Sequence, residues 1–347
     1  MVPLSVLDVA LVAPGGTARQ ALHDVVGTAR AADTLGYHRF WVAEHHNSPR
    51  CAGSSPAVLI SHIAARTQRI RVGSGGVMLT NHAPLTVAEQ FAVLQCLHDD
   101  RIDLGVGRAT GGVDSGTLLD RALRRPPQAR AEFPQLVDEL LGFLHGHWPA
   151  GHGFQDLELS PTVTVPPVVH VLGTSENGAR VAAARGLPFT YGAHLGPRSR
   201  PAALDRYRSA FTPGFAGTRP RVIASVNVQC AGTDAEAERL ALDTTTARFR
   251  QKHTATSAAP LSEARERYLV DRMLDDLQLV RGGPATVADG LIRLAATLGA
   301  DELMLVPYDI TAEGRVRTLR LTAQAWHGAG AASSRPGRGV LTGRPPR

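Results

Sequence analysis

Short apolar runs alternate along this chain with longer segments whose apolar residues recur every three or four positions. Eight runs stand out, at residues 6–12, 40–43, 70–79, 102–106, 168–172, 189–191, 222–228 and 302–306. Most are continuous, not alternating, as befits strands buried on both faces of a parallel sheet. Between the first two, residues 18–35 place Ala21, Leu22, Val25, Val26, Ala29, Ala32 and Leu35 at helical spacing. The same spacing predicts helices at 57–66, 87–97, 133–144, 179–185, 202–211, 235–250, 287–298 and 316–326. Eight alternations of strand and helix predict an α/β fold, a (β/α)8 TIM barrel, over the competing doubly wound sheet with extra strands.

Two segments interrupt the rhythm. Residues 145–167 are rich in Gly and Pro and read as a long connection before the fifth strand. Residues 251–284 hold an additional predicted helix, 261–280, and end in Gly282-Gly283-Pro284. Insertions that follow barrel strands cover the mouth where function collects. The organisation expected is one barrel domain over residues 1–327 and a disordered basic tail over 328–347.

Composition narrows the class. Of 347 residues, 43% are hydrophobic and 20% charged, which excludes a disordered or collagen-like chain. No apolar stretch is long enough to span a membrane, and the N-terminus lacks the basic region of a secretory signal. Three widely spaced cysteines, Cys51, Cys96 and Cys230, argue against a disulfide framework or a CxxC metal site. A cytoplasmic protein is the expectation. The net charge is +6, but the tail holds Arg335, Arg338, Arg344 and Arg347 and no acid, leaving +2 for residues 1–327. The basicity is largely a tail property, so no nucleic-acid partner is expected.

In a barrel, the strand C-termini carry the chemistry. The second strand runs into Glu44-His45-His46, where one imidazole could act as acid or base, or simply be satisfied in a loop. The third contains Gly75-Gly76, which suits close approach of a flat ligand to the backbone, or a tight barrel corner. The fourth leads to Gly105-Val106-Gly107-Arg108-Ala109-Thr110, which fails the GxGxxG pattern but sets an arginine where it could hold a phosphate. The fifth gives Thr174-Ser175-Glu176-Asn177-Gly178 at a helix start, either an anion site or an ordinary N-cap. Glu176 would repel a phosphate unless turned away. His145, His147 and His152 share a loop, but few carboxylates and no cysteine accompany them, so no metal is expected. There is no GxSxG elbow for a serine hydrolase.

Taken together, LGYHRFWVAEHHN at 35–47, IRVGSGGVML at 70–79, NHAPL at 81–85, VAEQF at 87–91 and RIDLGVGR at 101–108 form an ordered series. The series resembles the bacterial luciferase-like flavin-dependent monooxygenases, and the likeness extends over roughly residues 4–326. The resemblance implies a barrel that binds FMN at its strand C-termini. It gives His45 a role in flavin–oxygen chemistry. It also sets Gly75 and Gly76, often joined by a cis peptide in relatives, against the isoalloxazine. Arg108, Thr174, Ser175, Asn177 and Gly178 match the phosphate clamp, though relatives often carry hydroxyls where Asn177 and Gly178 stand. Thr80 and Thr110 depart from the family pattern in the substrate loops. The resemblance further implies reduced FMN and molecular oxygen as co-substrates, a separate flavin reductase and a small organic substrate, in a secondary-metabolism setting such as polyketide tailoring. A homodimer is the family habit. Related barrels use 5-deazaflavin for hydride transfer, and a non-catalytic flavin-binding protein is a further alternative.

Overall fold

The helix boundaries follow from local chemistry. Thr17 caps the first helix by accepting from the Gln20 amide at 3.2 Å, and prolines open four later helices, where their missing N–H costs nothing. Gly146 and Gly299 end two helices in the left-handed conformation that suits glycine. The computed structural model describes residues 1–98, 100–109, 117–195, 202–256 and 261–333. Its strands are β1 (Leu4–Asp8), β2 (Arg39–Val42), β3 (Arg71–Ser74), β4 (Val77–Met78), β5 (Ile102–Gly107), β6 (Val168–Gly173), β7 (Phe189–Tyr191), β8 (Val222–Cys230), β9 (Leu279–Gly282) and β10 (Glu302–Pro307). The helices are α1 (Ala18–Thr34), α2 (Pro56–Ala64), α3 (Pro84–Leu97), α4 (Thr117–Ala122), α5 (Phe133–His145), α6 (Glu176–Ala184), α7 (Ala202–Ser209), α8 (Asp234–Thr256), α9 (Glu263–Asp275), α10 (Pro284–Leu298) and α11 (Ala312–Ser333).

Eight strands close into a parallel barrel in the order β10-β1-β2-β3-β5-β6-β7-β8, with β8 returning to β10. Closure is explicit in the register: Leu4–Val6 pair with Leu303–Leu305, and residues 302–307 pair with 223–228. This is the TIM barrel expected from the sequence.

Side chains alternate between two cores. Leu7, Trp41, Ala43, Ile223, Met304 and Val306 form a cluster inside the barrel, while the larger core packs strands against helices. Nearer the strand N-termini, the interior turns ionic. Arg39 donates to Glu302 at 2.9 Å and to Asp103 at 2.6 Å, and Arg71 reaches Asp103 at 2.7 Å. Ser5 and Trp41 donate to the same two carboxylates. Although burial works against the charged form, Arg39, His170 and Arg71 hold the Asp103 carboxyl down to about 2.

Helix α4 was not expected from the sequence, and four further segments differ from the expectation. The first strand stops at Asp8, not residue 12, because Ala10 adopts a positive φ and its amide bonds to Asp8 Oδ1 at 2.8 Å. The run 70–79 is divided into β3 and β4 by Gly75-Gly76. The extra helix ends at Asp275, and residues 279–282 instead form β9, paired outside the barrel with Asn227–Cys230. The last helix continues to Ser333, past the boundary placed at 327/328. Thr110, Gly111, Gly112 and the tail from residue 334 lie outside the described residues.

Candidate active site

The strand C-termini surround a cleft of about 570 Å³, within the range usual for small-molecule sites. Its walls bring together His45, Gly75, Gly76, Arg108, Thr174, Ser175 and Gly178, which come from four separate strand ends. Leu7, Val9, Ala43, Leu172 and Leu195 add an apolar lining.

His45 and His46 separate as neighbouring residues must. β2 has ended at Val42, His45 faces the cleft, and His46 turns to Glu44, its Nε2 lying 2.8 Å from Oε1. Glu44 is fully buried and serves as a hub. It also accepts from the Met78 amide at 3.0 Å, Asn81 at 3.1 Å and His82 at 3.0 Å. Burial would raise this carboxyl, but His82, the Met78 amide and His46 together hold it below its ordinary value. A carboxylate offers about four lone-pair positions, and these four donors occupy them. Glu44, His46 and His82 do place ligand atoms within 4.8 Å of one another, a spacing that could hold a cation. The contacts are nevertheless those of a saturated hydrogen-bond cluster, which fixes the backbone on either side of His45. Burial lowers the His45 pKa, so its imidazole is neutral near pH 7. Its Nδ1 is buried without a hydrogen-bond partner among the described residues.

The Gly75–Gly76 peptide is cis. A Cβ on Gly76 would lie 2.8 Å from the Gly105 carbonyl oxygen, and one on Gly75 would lie 2.6 Å from Leu7 Cδ1. Close packing against backbone therefore demands glycine at 76, independently of any ligand, whereas at 75 the obstacle is the movable end of a leucine side chain. Ser74 stitches the same place, donating to the Gly105 carbonyl at 2.8 Å and accepting from its amide at 3.0 Å.

At the other end of the cleft, Ser175 caps α6 by accepting from the Gly178 amide at 3.4 Å. The amides at the start of α6 sit at the positive end of a helix. Glu176 does not spoil this end, because Arg180 at 3.7 Å and Arg206 at 3.5 Å draw its carboxylate outward. Asn177 departs from the expectation. Its side chain accepts from Arg180 on the exposed face and does not line the cleft. Arg130, Phe133 and His194 line the cleft without having been singled out in the sequence. Arg130 follows a long excursion after β5, and no local pattern marks it. The loop histidines find aromatic neighbours instead: His145 packs on Phe215, and His152 stacks on Trp148 at 4.5 Å.

Comparison with known proteins agrees with this architecture. The profile of the luciferase-like monooxygenases matches residues 2–302. The chain belongs to the luciferase-like monooxygenase family. It is 38% identical to the uncharacterised protein YwcH of Bacillus subtilis (strain 168), with 94% of this chain and 99% of that one covered. A luciferase-like monooxygenase of Escherichia coli (strain K12) is 36% identical, with coverage of 88% and 91%. Among solved structures, apo-MsnO8 superposes with a TM-score of 0.81 at 36% identity, covering 94% of this chain and 99% of that one. Two more distant structures share the fold. One is the oxygenating constituent of 3,6-diketocamphane monooxygenase in complex with FMN (TM-score 0.70, 19% identity, coverage 94% and 97%). The other is an F420-dependent secondary alcohol dehydrogenase (TM-score 0.62, 12% identity, coverage 94% and 99%). Membership makes the chain an oxidoreductase, and the C-terminal ends of the strands are where enzymes of this fold place their active sites.

Proposed function

We propose that the protein is a flavin-dependent monooxygenase that uses reduced FMN and molecular oxygen to oxygenate a small organic substrate. Tailoring of a secondary metabolite is the setting the sequence suggests. The observation that carries the reading is the convergence of His45, Gly75-Gly76, Arg108 and Ser175 on one cleft. The residues fit the group. Arg108, Arg130, Ser175 and the first amides of α6 offer cationic and N–H donors suited to a phosphate. The glycine backbone, Leu172 and Ala43 offer a flat apolar wall, and the orphaned His45 Nδ1 would be satisfied by a polar ring edge.

When bound, reduced FMN supplies the electrons that activate dioxygen for oxygen transfer. The chain's own part is to hold, orient and keep dry. The Glu44 cluster fixes His45, whose neutral ring can donate or accept a hydrogen bond at the reacting centre. The apolar lining excludes water from a reaction that water would divert. A separate flavin reductase would supply the reduced cofactor. A homodimer is proposed as well, and exposed Val58, Val93 and Leu97 on the neighbouring helices α2 and α3 support it.

The test is a turnover and binding pair on His45→Ala. FMN affinity stays near wild type while substrate oxygenation falls by about 10²–10⁴-fold. Full activity would remove His45 from the mechanism. Anaerobic turnover with reduced 5-deazaflavin, and none with FMN and oxygen, would replace the reading with hydride transfer. FMN retention without oxygen consumption over candidate substrates would favour a non-catalytic flavin-binding protein.

A further inference from the structure

A second imidazole faces the cleft. His194 sits in the single 3-10 turn Ala193–Leu195 that follows β7, and its side chain lines the same cavity as His45. It is anchored twice on β8. The Asn227 side-chain Nδ2 donates to the His194 carbonyl at 2.8 Å, and His194 Nδ1 lies 2.7 Å from Ser225 Oγ. Ser225 and Asn227 share the inward parity of Ile223, so both anchors project into the barrel above its apolar layer.

The contacts of Ser225 assign the proton on the ring. Its Oγ also lies 3.2 Å from the Tyr191 carbonyl oxygen, which can only accept. A serine has one proton to give. Only one arrangement makes both contacts hydrogen bonds: Ser225 donates to Tyr191, and His194 Nδ1–H donates to Ser225. A neutral imidazole carries a single N–H, so Nε2 is left with a lone pair. Among the described residues, Nε2 has no hydrogen-bond partner. Burial, and then the nearby His45, push the His194 pKa down to about 4, so the ring is neutral near pH 7.

We propose that His194 is a specificity-determining hydrogen-bond acceptor whose Nε2 receives a hydroxyl or N–H group of an otherwise apolar organic molecule seated in the cleft. That this molecule is the substrate rests on the monooxygenase reading. Leu7, Val9, Ala43, Leu172 and Leu195 give such a molecule contact without polar discrimination. An acceptor that the bound molecule shuts off from water and leaves unmet is costly, so the site disfavours an isostere that lacks the donor.

The experiment uses the full-length protein with 15N-labelled histidine. Long-range 15N–1H NMR reads the tautomer, and His194→Phe identifies the His194 signals. The probes are p-cresol and 4-methylanisole, similar in shape, of which only the first has an O–H. The expected result is an Nδ1–H tautomer at pH 7, with a His194 Nε2 resonance that p-cresol moves. p-Cresol should bind roughly 3- to 10-fold more tightly than 4-methylanisole. In His194→Phe the ratio falls to about 1. Ser225→Ala, which keeps the ring, lets the tautomers mix and reduces the ratio. An Nε2–H tautomer, equal affinities in the wild type, or a preference kept in His194→Phe would each overturn the proposal. FMN titration is read separately. If FMN fails to bind while tautomer and preference hold, the flavin reading falls and His194 remains the acceptor. If FMN binds and the preference is absent, this inference falls alone.

Discussion

At the scale of the residue, Arg108 and Arg130 carry the cationic end of the cleft. Among the described residues neither guanidinium has an ion-pair partner to dilute its charge toward a ligand, in contrast with Arg180 and Arg206, which Glu176 engages. A charge-assisted hydrogen bond contributes about 1.5–3 kcal/mol, or roughly ten- to 150-fold in affinity. Arg108→Ala should therefore weaken FMN binding by that factor in a fluorescence titration. An unchanged Kd would take Arg108 out of the clamp. Glu44 makes a different prediction, because it touches the chemistry only through its neighbours. Glu44→Gln keeps the shape but leaves fewer acceptor positions for four donors. Stability measured by urea unfolding should fall by about 1–3 kcal/mol. Loss of turnover should then accompany a disordered His45 signal, with FMN affinity nearly unchanged.

At the scale of the element, β3 and β5 approach so closely that a methyl group on Gly76 has nowhere to go. Its nearest neighbours would be the Gly105 carbonyl oxygen and carbon at 2.8 and 3.1 Å, backbone atoms that cannot rotate away. Gly76→Ala should cost about 1–3 kcal/mol in urea unfolding, as overpacking does. An unperturbed midpoint would show that the strands can part. This glycine pair illustrates how much was legible in the sequence. Two glycines inside an apolar run marked the place, yet the reason lay on β5 and on Leu7, which no local pattern connects to it. The barrel itself was readable, because its strands stand out as short continuous apolar runs and most of its helices by their period. His45, Arg108 and Ser175 followed from their places at strand ends. Arg130 did not, since it lies far beyond β5 and only the folded chain carries it to the cleft, whereas His194 stands three residues past β7, a strand-end place like that of His45 that no neighbouring motif marked. The ending of the extra helix at Asp275 was hidden for a similar reason. The next apolar residues satisfy their backbone by pairing with β8, a partner about fifty positions away.

At the scale of the whole molecule, the barrel interior is stacked in three layers with different tasks. The floor is ionic, built on Arg39, Arg71, Asp103 and Glu302. The middle is apolar, with Leu7, Trp41, Ile223 and Met304. The top is the cleft. The floor joins β2, β3, β5 and β10, strands from both ends of the chain, so it acts on closure of the fold and not on the ligand. Asp103 shows how this should appear in solution. Its carboxyl is held at about 2 in the folded protein against 3.8 ordinarily. The folded form thus binds its proton less readily than the unfolded form. The resulting stability, about 2 kcal/mol, is complete above about pH 4 and is lost as the pH falls toward 2. Asp103→Asn removes the carboxylate that Arg39 and Arg71 share, leaving buried Arg39 with Glu302 alone and part-exposed Arg71 without its ion pair, and should destabilise by about 3–5 kcal/mol at pH 7. The deficit relative to wild type should narrow below about pH 4, as the unfolded wild-type carboxyl takes up its proton, and shrink further toward pH 2, where the folded one does too. FMN affinity at pH 7 should stay within about twofold, because sites without shared partners act independently. Urea unfolding across pH 2 to 7, paired with one FMN titration, tests both halves. A large loss of FMN affinity in Asp103→Asn would mean that the apolar middle layer transmits strain from floor to cleft.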